Sequence, residues 1–549
     1  MSRWLWLLLP VAALAACKAS SGTTMGRPEG GGGTASGGSS SGGASSVPDG
    51  SFNLACNAPQ LGSPVLRLLN ATEFSQTISD IFPQIAGAWT STLPANSVSA
   101  YGFDNDSSQV VGRQLAQGIL DTATAVATAV TGTAFASILP CSASTADRAC
   151  ADQFVTQYGR RFFRRTVSTD EHARYLAFFD SALAKSDFKT AVKWLLVGLI
   201  QSPNAVYRSE IGTVANDGSR KLGPDEVATQ LAYTYTGSTP TDSLLTQADS
   251  GTPLDTVALA KSLLATDAGK LTLQHFFEAY LDYPRVASLD RAGVTNFTSI
   301  RTDMIQETRA FIDEVVVQHA GGLKELLTAN TTNPSTALAT YYGFPAPATP
   351  FAAVTRTNGI GLLAQGSILA SLAQPNGSSP TKRGLLVYSR LLCHTKPSPP
   401  PNVGTIPIPQ PGVATTRQRY EQQHAGSGAC SVCHKQFDPI GFGFEHFDEG
   451  GKYRQTDGGL AIDTASNVPD PSGTPLFQFQ DQESLARGLA DQEVVYQCVA
   501  AYLATYAFGS GQSCLGASRV SDFKAGTLGI ADYYAALAAE PHFTRRASE

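Results

Sequence analysis

Residues 67–82, "RLLNATEFSQTISDIF", place Phe74, Ile78 and Ile81 at intervals of four and three. That spacing predicts a helix with one apolar face. The same period recurs in "QLAQGILDTATAVATAV" (114–130) and in "STDEHARYLAFFDSAL" (168–183), where Ser168 and Glu171 stand in capping-box spacing. "GPDEVATQLAYTYTG" (223–237) opens with proline and acids, as a helix start prefers. Further helical stretches include "LTLQHFFEAYL", "IRTDMIQETRAFIDEVV" and "YQCVAAYLATYAFG". Alternating Val, Ile and Thr runs are scarce, so the expected fold is mainly α, a multidomain helical body without a large sheet.

The N-terminus predicts an address. Arg3 precedes the short apolar run "WLWLLLPVAALAA", and small residues follow, as in a secretory signal peptide over 1–16. Leu14-Ala15-Ala16-Cys17 resembles a bacterial lipobox, which makes Cys17 the expected lipidated residue. Lys18 and Ala19 stand where an inner-membrane retention signal carries Asp, so the expected location is the cell envelope, anchored to the outer membrane at its periplasmic face or on the cell surface. Residues 17–55 are dominated by Gly, Ser, Ala and Thr and read as a flexible tether. No later stretch is apolar and uncharged for long enough to span a bilayer. The net charge of −6 is dispersed, with no basic block, which argues against a nucleic-acid partner.

The body divides into helical domains at 56–135, 136–212 and 213–345, and a proline-rich connector with a small cytochrome-c-like segment at 346–465. A C-terminal helical domain follows at 466–549. The connector is "CHTKPSPPPNVGTIPIPQPG" (393–412), which has too many prolines for helix or central strand. Of nine cysteines, Cys56, Cys141, Cys150, Cys393, Cys498 and Cys514 form an even set suited to disulfides in an exported chain. Cys141–Cys150 and Cys498–Cys514 are local pairs, which leaves Cys56 with Cys393; other connectivities stay open.

"CSVCHKQFDPIGFGFEHFD" (430–448) carries Cys430, Cys433 and His434 as Cys-x-x-Cys-His. Two thiols and an imidazole on one helical turn suit covalent attachment of haem c, with His434 as the proximal iron ligand. The alternatives are a Cys430–Cys433 disulfide, and a zinc site for which the second metal-spaced pair is missing. The methionines are Met1, Met25 and Met304, none beyond His434, so His–Met ligation is not expected. His446 is the nearest downstream candidate for the distal ligand, with His424, His394 and the more remote His542 as other candidates; an open sixth position, with Glu445 as an acid–base group, is equally compatible. Asp438-Pro439-Ile440-Gly441 reads as a turn. Glu445 and Asp448 read as partners of the Gly450-Gly451 turn, Lys452 and Arg454. Lys382 and Arg383 read as a solvated loop, with contacts to haem propionates as the alternative.

In order along the chain, several segments resemble a known group. They are "RLLNATEFSQTISDIF" with "YGFDND", "RRFFRRTVSTDEHARYL" through "LIQSPNAVYRSE", "VATQLAYTYTGSTPTDSLL", "SSPTKRGLLVYSRLLC" with the Cys-x-x-Cys-His motif, and "YQCVAAYLATYAFG". They are similar to the multidomain envelope proteins of the planctomycete cytochrome-c-associated type, a series of domains of unknown function. The resemblance implies the domain order and a haem-like motif, without a known reaction. With the export signal, the expectation is a tethered lipoprotein with a haem in electron transfer or an oxidoreductase step, serving a redox partner protein. The alternative is a structural or binding lipoprotein in which the motif cysteines are a disulfide. No nucleophile elbow, zinc-protease helix or phosphate loop is present in the sequence.

Overall fold

In a computed structural model of the chain, the described residues are 61–548 with Phe52 and Leu54, apart from 143–146, 398–412, 426–427, 471–473, 512–513 and 515. The signal peptide, Cys17, Cys56 and most of the tether and connector lie outside them. The fold is mainly α, with strands of two to four residues. Among the described residues no helix is long and apolar enough to cross a membrane.

Strand β1 (Val65–Leu68) leads into helix α1 (Ala71–Ile81). Asn70 accepts from the backbone of Glu73 while the Glu73 carboxylate takes the Asn70 N–H, so two orphan donors of the first turn are satisfied reciprocally. Helices α2 (Arg113–Val130), α3 (Arg148–Phe163), α4 (Thr169–Leu183) and α5 (Phe188–Ile200) complete the N-terminal half. Ser168 and Glu171 close the capping box their spacing predicts. The chain then returns as strand β2 (Tyr207–Glu210), antiparallel to β1 with Arg67 opposite Arg208.

Helix α6 (Pro224–Thr236) begins on Pro224 and stops at Gly237, whose φ of +64° a side chain would disfavour. Helices α7 (Asp267–Leu281), α8 (Phe297–Ile312), α9 (Pro380–Leu386), α10 (Gly428–Phe442), α11 (Gln482–Ala490) and α12 (Glu493–Phe508) carry the rest of the main packing.

The five expected segments do not each enclose a core. Apolar side chains from 68 to 206 form one cluster, joined by Tyr233 of α6. Those from 222 to 543 form a second, joined by Phe103 from the first segment. Phe103 packs against Phe276, Tyr502 and Tyr506, so each half inserts an aromatic ring into the other. One compact unit spans Val47–Glu549.

Cys141 and Cys150 are bonded to each other. The other two expected pairings, Cys498–Cys514 and Cys56–Cys393, are both corrected: Cys498 is bonded to Cys393. Cys498 is fully buried inside α12 and faces the segment that ends at Cys393. Ten further residues of rigid helix, about 15 Å, carry the chain away before Cys514. Cys514 is also disulfide-bonded, so it is not free for Cys498. The Cys393–Cys498 bridge closes a 105-residue loop that contains the Cys-x-x-Cys-His motif.

Candidate functional site

Cys430, Cys433 and His434 lie within a single turn of α10, each half-buried. Both thiols are free, whereas Cys141, Cys150, Cys393, Cys498 and Cys514 are all disulfide-bonded. The helix does not end where a turn was expected. It runs through Asp438 and Pro439 to Phe442. Pro439 removes the donor for the carbonyl of Lys435, an exposed position where water can substitute. Phe437 and fully buried Ile440 hold the last turn against the core.

This continuation places Asp438 one turn beyond His434 on the same face. The Asp438 carboxylate is buried and accepts three hydrogen bonds. Nδ1 of His434 lies 3.1 Å from Oδ2 and Nδ1 of His424 2.5 Å from the same oxygen, while the Thr381 hydroxyl donates to Oδ1 at 2.6 Å. Burial alone raises the pKa of Asp438; the bonds from His424, His434 and Thr381 outweigh it and leave the group below the usual carboxylate range. An ionised carboxylate only accepts, so each imidazole donates through Nδ1 and leaves Nε2 free as a ligand. The two rings are 3.6 Å apart, tilted by 37°. His424 sits on a π-helical turn, Glu421–Ala425, with Tyr420 edge-on to its ring at 5.2 Å.

Phe437 closes one side of the His434 ring at 5.1 Å. Tyr388 lies beside Phe437 at 6.0 Å and donates to Gln436. Burial, then the adjacent Cys433, push the Tyr388 phenol up. His394 packs against Tyr388 with ring centres 4.5 Å apart, and burial lowers its pKa.

Helix α9 is the platform. A Cβ on Gly384 would meet the carbonyl oxygen of Phe437 at 1.9 Å, and one on Gly441 that of Pro380 at 1.9 Å. The two glycines let α9 and α10 approach backbone to backbone, which brings Thr381 to Asp438. Lys382 and Arg383, read as a solvated loop, belong to this helix. Arg383 is only 1% exposed, and its guanidinium donates to the carbonyls of Leu369, Phe444, Phe447 and Asp448. Lys382 donates to the carbonyl of Ala373.

His446 has other partners: its Nδ1 is 2.8 Å from the Arg454 carbonyl and its ring stacks on Tyr453 at 5.1 Å. The imidazole beside His434 is His424. His542 is buried against Phe508, beside the Gly62 N–H. Glu445 is buried, accepts from Ser378 at 2.8 Å and pairs with Arg454 at 3.3 Å; burial pushes its pKa up. Asp448 receives the N–H groups of Gly450 and Lys452, which is the turn-binding role its position suggested. Asp438 and Thr381 were missed as site residues. The i,i+4 spacing of His434 and Asp438 was the available signal for the first; nothing local marks Thr381.

Four protein-family models match consecutive stretches: PSD3, a protein of unknown function (DUF1587), over 67–132; PSD5 (DUF1595) over 150–210; PSD4 (DUF1592) over 222–344; and PSCyt3 (DUF1588) over 359–457. The chain belongs to the multidomain proteins built from this series. The PSCyt3 region contains α9, the π-helical turn of His424 and the whole of α10. No curated protein and no solved structure matches.

Proposed function

We propose that this member of the series is an exported, lipid-anchored envelope protein that carries haem c covalently on Cys430 and Cys433, with His434 as proximal ligand. Its role is electron transfer or a haem-dependent oxidoreductase step. The observation that carries the reading is the pair of free thiols, one helical turn apart beside an imidazole, in a chain whose other described cysteines are all oxidised. The donor set suits the group: two thiols for its vinyl substituents and a nitrogen ligand whose far side is held by a carboxylate. When bound, haem supplies reversible one-electron chemistry at iron. Asp438 orients the His434 ring and holds the Nδ1 proton, which raises the basicity of Nε2. Thr381 keeps Asp438 in place.

His424 is a neighbouring base in this reading. The two imidazoles share one carboxylate oxygen and lie 3.6 Å apart, so His424 stands directly beside the His434 ring. That arrangement favours a second reading, a metal ion without haem, because ligand atoms of His424, His434 and Asp438 lie within 4.8 Å of one another.

One preparation separates the two. The full chain is exported from cells with cytochrome c maturation machinery, extracted with acid–acetone, and its visible spectrum recorded under denaturing conditions. A retained Soret band that disappears in Cys430→Ser/Cys433→Ser is the expected result. A colourless protein with intact thiols and one bound divalent ion, lost in His424→Ala, overturns the haem reading in favour of the ion. Lipidation is tested by fatty-acid labelling that Cys17→Ser abolishes.

A further inference from the structure

Strands β1 and β2 set Arg67 and Arg208 directly opposite one another, and both are only 1% exposed. Like charges in a cross-strand pair destabilise a sheet, and buried charges without hydrogen-bonded partners cost several kcal/mol by general expectation, so such a pair requires compensation. The protein supplies little. Arg546 takes Oε2 of Glu210 and Oε1 of Gln230. Arg164 is met by the carbonyls of Asn204, Ala205 and Tyr207. Arg67 donates through Nη2 to the carbonyl of Asn105, while its Nε and Nη1 have no hydrogen-bond partner. Nε and Nη1 of Arg208 have none either. The remaining oxygen of Glu210 is 3.8 Å from Arg67 and 3.7 Å from Arg208, bonded to neither. Burial, and next the Arg208 charge, bring the Arg67 guanidinium down to about 10.

Arg67 and Arg208 are both among the residues that line a cavity of about 780 Å³, within the usual range for small-molecule sites. Exposed Val98 and Leu271 are also among its lining, so it opens to solvent. The lining is composite. Arg67 comes from the PSD3 region, Arg208 from PSD5, Tyr233 from PSD4, and Tyr506 and Tyr534 from the C-terminal helices. Glu73 and Asp104 also line it, the Glu73 charge close enough to act on Arg67.

We propose that this cavity binds a small organic acid with a hydroxylated body, its carboxylate received by Arg67 and Arg208. The planar guanidinium fork matches a carboxylate in two-point fashion. Glu73 and Asp104 accept hydrogen bonds from hydroxyl groups and oppose a dianion such as phosphate, and Tyr506 and Tyr534 offer apolar surface to a carbon skeleton, while the Tyr233 ring lies under the Arg208 and Arg164 guanidinium groups. The site is independent of the haem reading.

The test uses the full exported protein, with sodium D-glucuronate, D-galacturonate and L-tartrate as probes. Glucose, sodium chloride at matched ionic strength and inorganic phosphate are controls. Calorimetric titration and thermal unfolding are both recorded. At least one acid is expected to bind saturably and raise the midpoint, and glucose to do neither. Arg208→Gln is expected to weaken that binding at least tenfold while raising the midpoint of the unliganded protein, since it removes a like-charge contact. Arg208→Lys, which keeps charge but loses the fork, is expected to bind more weakly than wild type. Absence of saturable binding by all three acids overturns the proposal, as does equal binding by wild type and Arg208→Gln. Arg208-dependent binding of phosphate alone overturns the carboxylate assignment.

Discussion

At the residue scale the candidate site turns on Asp438, whose carboxylate holds two imidazoles and one hydroxyl. A carboxylate bonded to a ligating imidazole increases electron donation and stabilises the higher oxidation state of iron. Under the proposed haem attachment, Asp438→Asn is therefore expected to keep the covalent haem and raise its reduction potential; under the metal-ion reading it is expected to lower metal affinity by about 10–100-fold, as loss of such supporting groups generally does. Potentiometric titration of the purified variant measures this; an unchanged potential shows that Asp438 does not act through His434. Glu171 illustrates a capping residue with a pH signature. The Arg165 hydrogen bond, working against burial and with the Ser168 backbone, holds Glu171 at about 2. A carboxylate depressed on folding contributes stability above its unfolded pKa of roughly 4.3 and loses it as pH falls towards the folded value. The stability difference between wild type and Glu171→Gln is thus expected at neutral pH and shrinks between about pH 5 and 2. Urea unfolding at each pH reads it directly, and a difference independent of pH contradicts it.

At the element scale, helices α1, α4 and α6 follow from local chemistry: apolar period, capping residues and, for α6, Gly237 at the end. Helix α10 does not, because Asp-Pro-x-Gly carries a strong local turn preference. Packing overrides it. Gly441 sits on the Pro380 carbonyl and Ile440 is fully buried, so the last turn gains more from contact with α9 than Pro439 costs in a single missing donor. This close approach gives a sharp expectation. Gly384→Ala forces a methyl group into the backbone of Phe437 and should destabilise the fold by about 1–3 kcal/mol. Gly377→Ala, with open space around the added carbon, is the control and should change little. Denaturant midpoints of the two variants decide it; equal midpoints remove the argument for backbone contact between α9 and α10.

At the scale of the whole molecule, the Cys393–Cys498 bridge joins the PSCyt3 region to the C-terminal helices. Removing a native disulfide from small secreted domains costs about 2–5 kcal/mol, and a long closed loop lies at the upper part of that range in the chain-entropy account. Cys393→Ala/Cys498→Ala is expected to lower the unfolding midpoint accordingly; a midpoint equal to wild type shows that the contacts of α12 suffice alone. The exchange of Phe103 and Tyr233 between the two cores joins the halves in the same sense.

The sequence by itself determined the helical character, the order of the domains and the placement of two thiols and an imidazole on one turn. Each of these depends on spacing within a few residues or on composition. Tertiary structure alone decided that Cys498 pairs with Cys393 rather than with Cys514, which histidine meets His434, and that Arg67 faces Arg208 across a strand pair. These depend on the direction in which distant elements present their side chains. Cys498 pairs with Cys393 because a rigid helix points it there, and His424 meets His434 because a buried carboxylate, 14 residues beyond His424, receives both imidazoles.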